Sequence, residues 1–478
     1  MPVHRHSSTI VLWASVVSLL IATSSGCTPS SGASSPGGSR LRNTGKHEKP
    51  PAEAHSRGSD DTVTNRPNVL IILTDDQPTN TLSVMANTRA WLGREGTSFT
   101  NFFVTTPSCC PSRASILTGR YAHNHRVQSN FLGYKLDPAT TLQRSLKNGG
   151  YATAILGKYL TGHVPKRPPG FSEWVVTKSQ RYFRTRVIDN GTRRIIERYS
   201  TTFLGDKATQ FLRTRESADE VPWFLLVTPR APHFPFTPED RYAGAPVPAW
   251  DRSPAVEERD TSDKPRWVPG NVATAKAARI RREQLRALMS VDDLVLRLRS
   301  SLRSLGEERE TLVFYLSDNG FMWGDHGLTG KNLPYSAAVK APLLVRWPGH
   351  MEGGRSKRLV ANIDLAPTIF QATRVQPPSS PIDGRSLFSP RARKTLLLEH
   401  WGSRGRPAWA SLRSESFHFV QYYGETGKVI FREYYDLRTD PWELRNVLRD
   451  GEPGNDPDLK RLQRRLTVLR KCVGKACP

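Results

Sequence analysis

Four short apolar runs, each ending abruptly in polar residues, constrain the fold of this chain more than any other feature. They are Asn68 to Thr74 (NVLIILT), Ala152 to Leu156 (ATAIL), Trp223 to Thr228 (WFLLVT) and Thr311 to Ser317 (TLVFYLS). Strands that read as near-continuous apolar runs are covered on both faces, as in parallel sheets with helices packed above and below. From Arg66 onward such runs alternate with amphipathic stretches, so the expectation is an α/β domain with a mainly parallel sheet. A Pro-rich stretch over roughly 229–270 reads as a long surface loop. From about Thr274 to Leu305 a helix is predicted, with Leu285, Leu288, Met289 and Leu296 near helical spacing and Arg281, Arg282 and Arg286 on its solvated face.

Composition narrows the class. The 478 residues leave room for two or three domains, while 35 glycines, 36 prolines and 5 cysteines exclude a collagen-like repeat, a low-complexity chain and a disulfide-dense miniprotein. The 69 basic and 44 acidic residues give a net charge of +25, which suits nucleic acid, an anionic membrane surface or an acidic substrate. No zinc-finger, RNP-like or helix-turn-helix pattern accompanies the charge, so no nucleic-acid partner is expected.

Residues 1–26 read as an export signal. His4, Arg5 and His6 precede an apolar stretch from Ile10 to Ala22, which is shorter than the roughly 20 residues of a spanning helix. Thr23-Ser24-Ser25-Gly26 then lead into Cys27, resembling a bacterial lipoprotein signal in which Cys27 carries the lipid; plain secretion is the alternative. Residues 27–65, rich in Ser, Gly and Pro, are expected to form a flexible tether. The main domain is placed at 66–375 and a C-terminal subdomain at 376–478. The latter offers strands at Thr395 to Leu398 and Phe417 to Tyr423 and a closing helix with Leu459, Leu462, Leu466 and Leu469, the makings of a small antiparallel sheet with one helix on it. Cys472 and Cys477 read as a structural disulfide of an exported protein.

Residues at the C-terminal ends of parallel strands gather in one crevice. The strand ending at Thr74 delivers Asp75 and Asp76, and the strand ending at Ser317 delivers Asp318 and Asn319. Three carboxylates and an amide oxygen are hard donors suited to calcium or magnesium rather than zinc. Lys158, His233 and Lys331 follow strands at the same edge and give an anionic substrate an electrostatic partner there.

The most informative segment runs from Cys109 to Arg120, CCPSRASILTGR. It resembles the signature of type I sulfatases, C-x-P-S-R-x-x-x-L-T-G-R, in which the first cysteine is converted to formylglycine. The register selects Cys109, with Pro111 two residues on and Arg113 four on; Cys110 occupies the variable position. The resemblance extends from about Arg66 to about Val447 and is closest to the N-acetylglucosamine-6-sulfatase branch, through TDDQ (74–77), HNH (123–125), GKYL (157–160), APH-x-P (231–235), SDNG (317–320) and YDL-x-TDPWEL (435–444).

That resemblance implies an alkaline-phosphatase-like α/β fold and hydrolysis of sulfate monoesters, with 66–375 as the catalytic domain. One calcium ion would be held by Asp75, Asp76, Asp318, Asn319 and formylglycine 109. Arg113 would steady the formylglycine hydroxyl, while Lys158, His233 and Lys331 would bind sulfate and handle the leaving-group proton. A hydrated aldehyde is a geminal diol, able to attack sulfur through one hydroxyl and expel sulfate by deprotonation of the other. A helix over Pro111 to Leu117 is expected to aim its N-terminal N–H groups at the anion.

The chain departs from the family in two places. Leu160 stands where many sulfatases carry a histidine acting as base, leaving His163, His123, His125 or His326 as candidates, and Pro78 stands where the branch is often acidic. The expected substrate is a sulfated carbohydrate such as N-acetylglucosamine-6-sulfate units, or an aryl sulfate, with a separate maturation enzyme as partner and an extracytoplasmic location. The alternatives are a phosphomonoester or phosphonate hydrolase of the same superfamily, and a non-catalytic sulfated-glycan binding protein.

Overall fold

All four expected strands form, and they lie side by side at the centre of one sheet. The computed structural model describes residues 66–161, 167–218, 221–270, 274–403 and 405–478. The export signal, Cys27, the tether and His163 lie outside them.

The main sheet comprises β1 (Asn68–Thr74), β2 (Thr97–Phe103), β3 (Ala152–Gly157), β4 (Glu173–Thr177), β5 (Thr185–Asp189), β6 (Thr192–Ile196), β7 (Trp223–Thr228) and β8 (Thr311–Ser317). A short ribbon, β9 (Met322–Trp323) and β10 (Thr329–Gly330), precedes its last members, β11 (Leu343–Arg346) and β12 (Gly354–Ala361). The ten strands run in the order β12-β2-β11-β8-β1-β7-β3-β4-β5-β6. β8, β1, β7, β3 and β4 are mutually parallel, whereas β11, β5 and β6 pair antiparallel with their neighbours.

Strand alternation explains why these runs are apolar throughout. Val69, Ile71 and Leu73 point to one face, where they meet Phe224, Leu226 and Phe314 beneath helices Cys109–Thr118, Leu142–Asn148 and Leu365–Thr373. Leu70 and Ile72 point to the other, against helices Ser200–Glu216 and Thr274–Ser304. Each such side chain, once buried, contributes roughly 1.5–3 kcal/mol.

Two expectations for the long helix need correction. Leu285 and Leu296 share one edge, about three turns apart; Phe321 and Trp323 cover Leu285, but Leu296 lies beyond that cover and is 42% exposed. Arg281 and Arg286 are not a free solvated face. They are half-buried and donate to the carbonyls of Pro248, Ala249 and Ala245, fastening the Pro-rich segment to the helix; Arg282 is exposed.

The C-terminal sheet has four antiparallel strands, β13 (Leu396–His400), β14 (Ala408–Arg413), β15 (Phe417–Tyr423) and β16 (Val429–Asp436), in sequential order. β14 and β16 escape a sequence reading because Ser411, Arg413, Arg432 and Glu433 interrupt their apolar pattern. Helix Leu459–Leu469 packs Leu466 and Leu469 on this sheet, and a Cys472–Cys477 disulfide follows it.

Buried Glu433 on β16 accepts hydrogen bonds from Tyr335 (2.9 Å) and Tyr422 (2.8 Å). Burial pushes its carboxyl from 4.5 up to about 7. A raised folded-state pKa means that its contribution to stability is fully present below about pH 4.5 and is lost as pH rises through about 7. Glu433→Gln should therefore flatten the pH dependence of thermal unfolding across this window; an unchanged profile would refute the assignment.

Candidate active site

The register of β1 with β8 sets Thr74 opposite Ser317, so Asp75–Asp76 and Asp318–Asn319 emerge together at the carboxyl edge. Asp318 N–H donates to the Thr74 carbonyl at 3.1 Å, and Asp76 N–H to Asp318 Oδ1 at 3.3 Å. Asp76 has a left-handed φ of 65°, which turns the chain sharply just beyond the strand. Gln77, buried beside it, takes hydrogen bonds from Thr74 and Tyr315 and donates to Thr81.

Lys158 arrives from β3. Gly157 precedes it at φ 122°, where a Cβ would stand 2.2 Å from the Thr228 carbonyl oxygen, so only glycine allows β3 and β7 to approach this closely. The β7 loop brings His233, whose carbonyl accepts from the Tyr182 hydroxyl at 2.6 Å. Cys109 is the first residue of its fully buried helix.

These residues converge. Cys109 Sγ lies 3.3 Å from Asp75 Oδ1 and 2.7 Å from Lys331 Nζ. Lys158 pairs with Asp75, and Lys331 with Asp76. Lys331 is also 3.3 Å from Asn319 Oδ1, and Asn319 Nδ2 donates to Asp76 at 2.7 Å. Arg113 Nε donates to Asp318 at 2.8 Å and its Nη1 to the Lys158 carbonyl at 2.7 Å. His233 Nε2 stands 3.7 Å from Asp76 Oδ2. Every catalytic and metal-ligating residue expected from sequence is thus in one cluster.

Electrostatics follow from this packing. Burial favours protonated Asp75, but Lys158, then His233, Lys331 and Arg113, hold it well below the usual carboxylate range. Burial and then Asp75 raise Asp318. Burial, reinforced by Asp75, pushes the Cys109 thiol up to about 12, the reverse of a reactive cysteine. Burial lowers His233.

Ligand atoms of Asp75, Asp76, Cys109 and His233 lie within 4.8 Å of one another. With Asp318 and Asn319 at the same edge, the oxygen donors fit a hard divalent cation. Three carboxylates here face three fixed cations, Lys158, Lys331 and Arg113, so a bound divalent ion would leave the site net positive and attractive to an anion. Arg113 Nη2 is buried without a hydrogen-bond partner among the described residues and stands 3.9 Å from Asp75, a donor available to an added oxygen.

The helix end contributes less than expected. It starts at Cys109 rather than Pro111. Cys110 N–H is taken by Asn130 Oδ1 at 2.9 Å, Ser112 N–H by the Ser108 carbonyl, and Pro111 has none. Anion attraction therefore rests on the side-chain cations.

Three of the four candidate histidine bases are engaged elsewhere. His123 bridges Glu399 and the Cys472 carbonyl. His125 bonds Ser115 Oγ and accepts from Val127 N–H, and burial lowers it to about 3. His326 contacts Glu258 at 2.6 Å. Leu160 is a core residue. Sequence reasoning missed Gln284, which donates to the Asp76 and Pro232 carbonyls (3.2 and 3.3 Å) and so ties the long helix to both loops. A glutamine among the leucines of that stripe was the available signal.

Known proteins bear on this arrangement. The family model Sulfatase matches residues 67–375, and the model N-sulphoglucosamine sulphohydrolase, C-terminal, matches residues 324–472. The chain is 32% identical to N-acetylglucosamine-6-sulfatase of Capra hircus over 86% of this chain and 85% of that protein. A solved protein in complex with its substrate D-glucosamine-2-N,6-O-disulfate shares the fold, with TM-score 0.68 at 24% identity over 84% of this chain and 97% of that one. A phosphonate monoester hydrolase from Silicibacter pomeroyi gives TM-score 0.66 at 25% identity over 84% of this chain and 94% of that one. With the family match over most of the folded chain and the signature cysteine seated among the carboxylates and lysines, the protein belongs to the sulfatase family, hydrolases of sulfuric esters.

Proposed function

We propose that this chain removes the 6-sulfate from N-acetylglucosamine units of a sulfated carbohydrate, outside the cytoplasm, using formylglycine at position 109 and one calcium ion. The observation that carries the reading is the placement of Cys109 between Asp75 and Lys331 in a buried, cation-rich site. The register of the signature marks Cys109 as the residue that a maturation enzyme would convert. The substrate class is supported by the N-acetylglucosamine-6-sulfatase relative.

Formylglycine, once hydrated, supplies a hydroxyl that attacks sulfur and a second that expels sulfate on deprotonation. Asp75, Asp76, Asp318 and Asn319, with residue 109, would hold the calcium ion, which would supply Lewis-acid polarisation of the ester oxygens. The free Nη2 of Arg113 steadies the hydroxyl on residue 109. Lys158 and Lys331 hold sulfate oxygens and offset charge that grows toward the transition state. His233, lowered by burial and standing at the cluster edge, exchanges the proton at the leaving oxygen. Residues 66–375 act as the catalytic domain and 376–478 as its C-terminal subdomain, with Cys27 as lipid anchor.

Mass spectrometry of the peptide spanning Cys109 should show sulfur lost and oxygen gained there, with Cys110 unchanged. Intact thiols at both positions in protein from the native host would sink the proposal. The likeness to a phosphonate monoester hydrolase favours a second reading. Turnover of matched aryl sulfate and aryl phosphonate decides between them, and the sulfate is expected to be the faster substrate. Lipid labelling should depend on Cys27; unlabelled, freely soluble mature protein would remove the anchor.

A further inference from the structure

The last 20 residues, Leu459 to Pro478, contain seven lysines and arginines and no acid. Because helix Leu459–Leu469 buries Leu466 and Leu469 against the C-terminal sheet, Lys460, Arg461 and Arg464 project from the opposite face into solvent, and Lys471 continues the stripe. None of these four side chains has an ion-pair partner among the described residues. Some other surface arginines are paired, as Arg198 and Arg297 are with Asp206, and Arg438 with Asp436. Lys460 and Arg464 are like charges one turn apart, an arrangement that weakens a helix unless an anion lies across it.

Beside Lys471, Arg470 lines a cleft of about 150 Å³ whose walls also include Trp401, Trp409, Tyr423 and Glu399, the last a carboxylate already paired with His123. The Arg470 guanidinium sits 4.2 Å from the Tyr423 ring centre. Aromatic walls with a guanidinium at the rim suit a sugar ring bearing a sulfate. One wall is tied to the loop that carries Lys331: Trp409 Nε1 donates to the Asn332 carbonyl at 3.0 Å, and the preceding Lys331 touches Cys109 Sγ.

We infer that the cationic face of the C-terminal helix, with this cleft at its end, docks the chain of a sulfated polysaccharide and leads it to the Cys109 site. The inference rests on the sulfatase reading and deepens it: the substrate is a polymer, held by more of its length than the scissile unit. An anionic lipid surface fits less well, because Leu466 and Leu469 are spent on the sheet and the apolar side chains left exposed, Val468 and Val473, are scattered rather than a continuous apolar face.

The test compares Lys460→Gln/Arg461→Gln/Arg464→Gln/Lys471→Gln with a charge-matched control at exposed cations elsewhere, Lys276→Gln/Arg279→Gln/Arg355→Gln/Lys357→Gln. On immobilised heparin the first variant should elute at clearly lower salt than the control. Its KM on a heparin polymer should rise about tenfold or more, as expected when several charge contacts are lost, with kcat on an aryl sulfate unchanged. Equal elution of the two variants would overturn the docking surface. So would unchanged heparin elution combined with helix-dependent binding to phosphatidylglycerol vesicles. Retention is also measured on Cys109→Ala. If the wild type turns over no sulfate while retention still follows the helix charges, the sulfatase reading fails and the polyanion surface stands.

Discussion

Cys109→Ala is expected to lower turnover of an aryl sulfate by at least about 10⁴-fold, the scale of losing a nucleophile, while the thermal midpoint barely moves. The side chain is small, and its removal leaves Lys331 its contacts with Asp76 and Asn319. Cys109→Ser separates nucleophile from leaving-group chemistry. A serine has one hydroxyl, so it can accept sulfate once but lacks the second hydroxyl that expels it, and at most one stoichiometric burst is expected. Cys110→Ala should retain turnover, because that thiol faces Thr161 rather than the carboxylates. Multiple turnovers by Cys109→Ala would reassign the nucleophile.

Asp318→Asn should strike both stability and metal binding. Arg113 is 3% exposed, and its Nε rests on Asp318 at 2.8 Å; its other carboxylate, Asp75, is 3.9 Å away and already paired with Lys158. Removing one partner of a buried ion pair leaves an uncompensated charge, at a cost of about 3–5 kcal/mol. The same substitution removes one negative charge and one of the two carboxylate oxygens that Asp318 offers to calcium, leaving a neutral amide oxygen, a weaker donor. Denaturant unfolding should report the loss, and the rise in thermal midpoint expected when calcium is added to the wild type should be smaller in the variant. A variant within about 1 kcal/mol of wild type, with its calcium response intact, would show that Asp318 neither balances Arg113 nor holds the ion.

What was legible beforehand depended on how local the signal was. The carboxylate pairs could be read because each follows a strand whose apolar run is unbroken, and parallel strands deliver their ends to one edge. Lys331 could be placed at the same edge because it follows the Asp318-Asn319 turn by a dozen residues, but that spacing does not say which groups it meets, and its contacts with Asp76 and Cys109 came from the tertiary structure. Gln284 could not be assigned at all. Its function depends on two carbonyls that lie 208 and 52 positions away in sequence.

The histidines show the same limit from the other side. Four were candidates for the base, and nothing in the residues around His123, His125 or His326 says that Glu399, Ser115 and Glu258 already engage them. Likewise the helix opening at Cys109 looked like an anion site, until Asn130 proved to occupy the N–H of its second residue, Cys110.

The amino-acid sequence alone determined the central parallel strands, the register that singles out Cys109 over Cys110 and the chemistry of the donors, because each is written in contiguous residues. Tertiary structure alone decided which cations face which carboxylates, that His123, His125 and His326 are engaged elsewhere, and that the cationic C-terminal helix runs into Arg470 at an aromatic-walled cleft. Those facts are distances between segments far apart in the chain, set by how two sheets and their helices pack rather than by any local pattern.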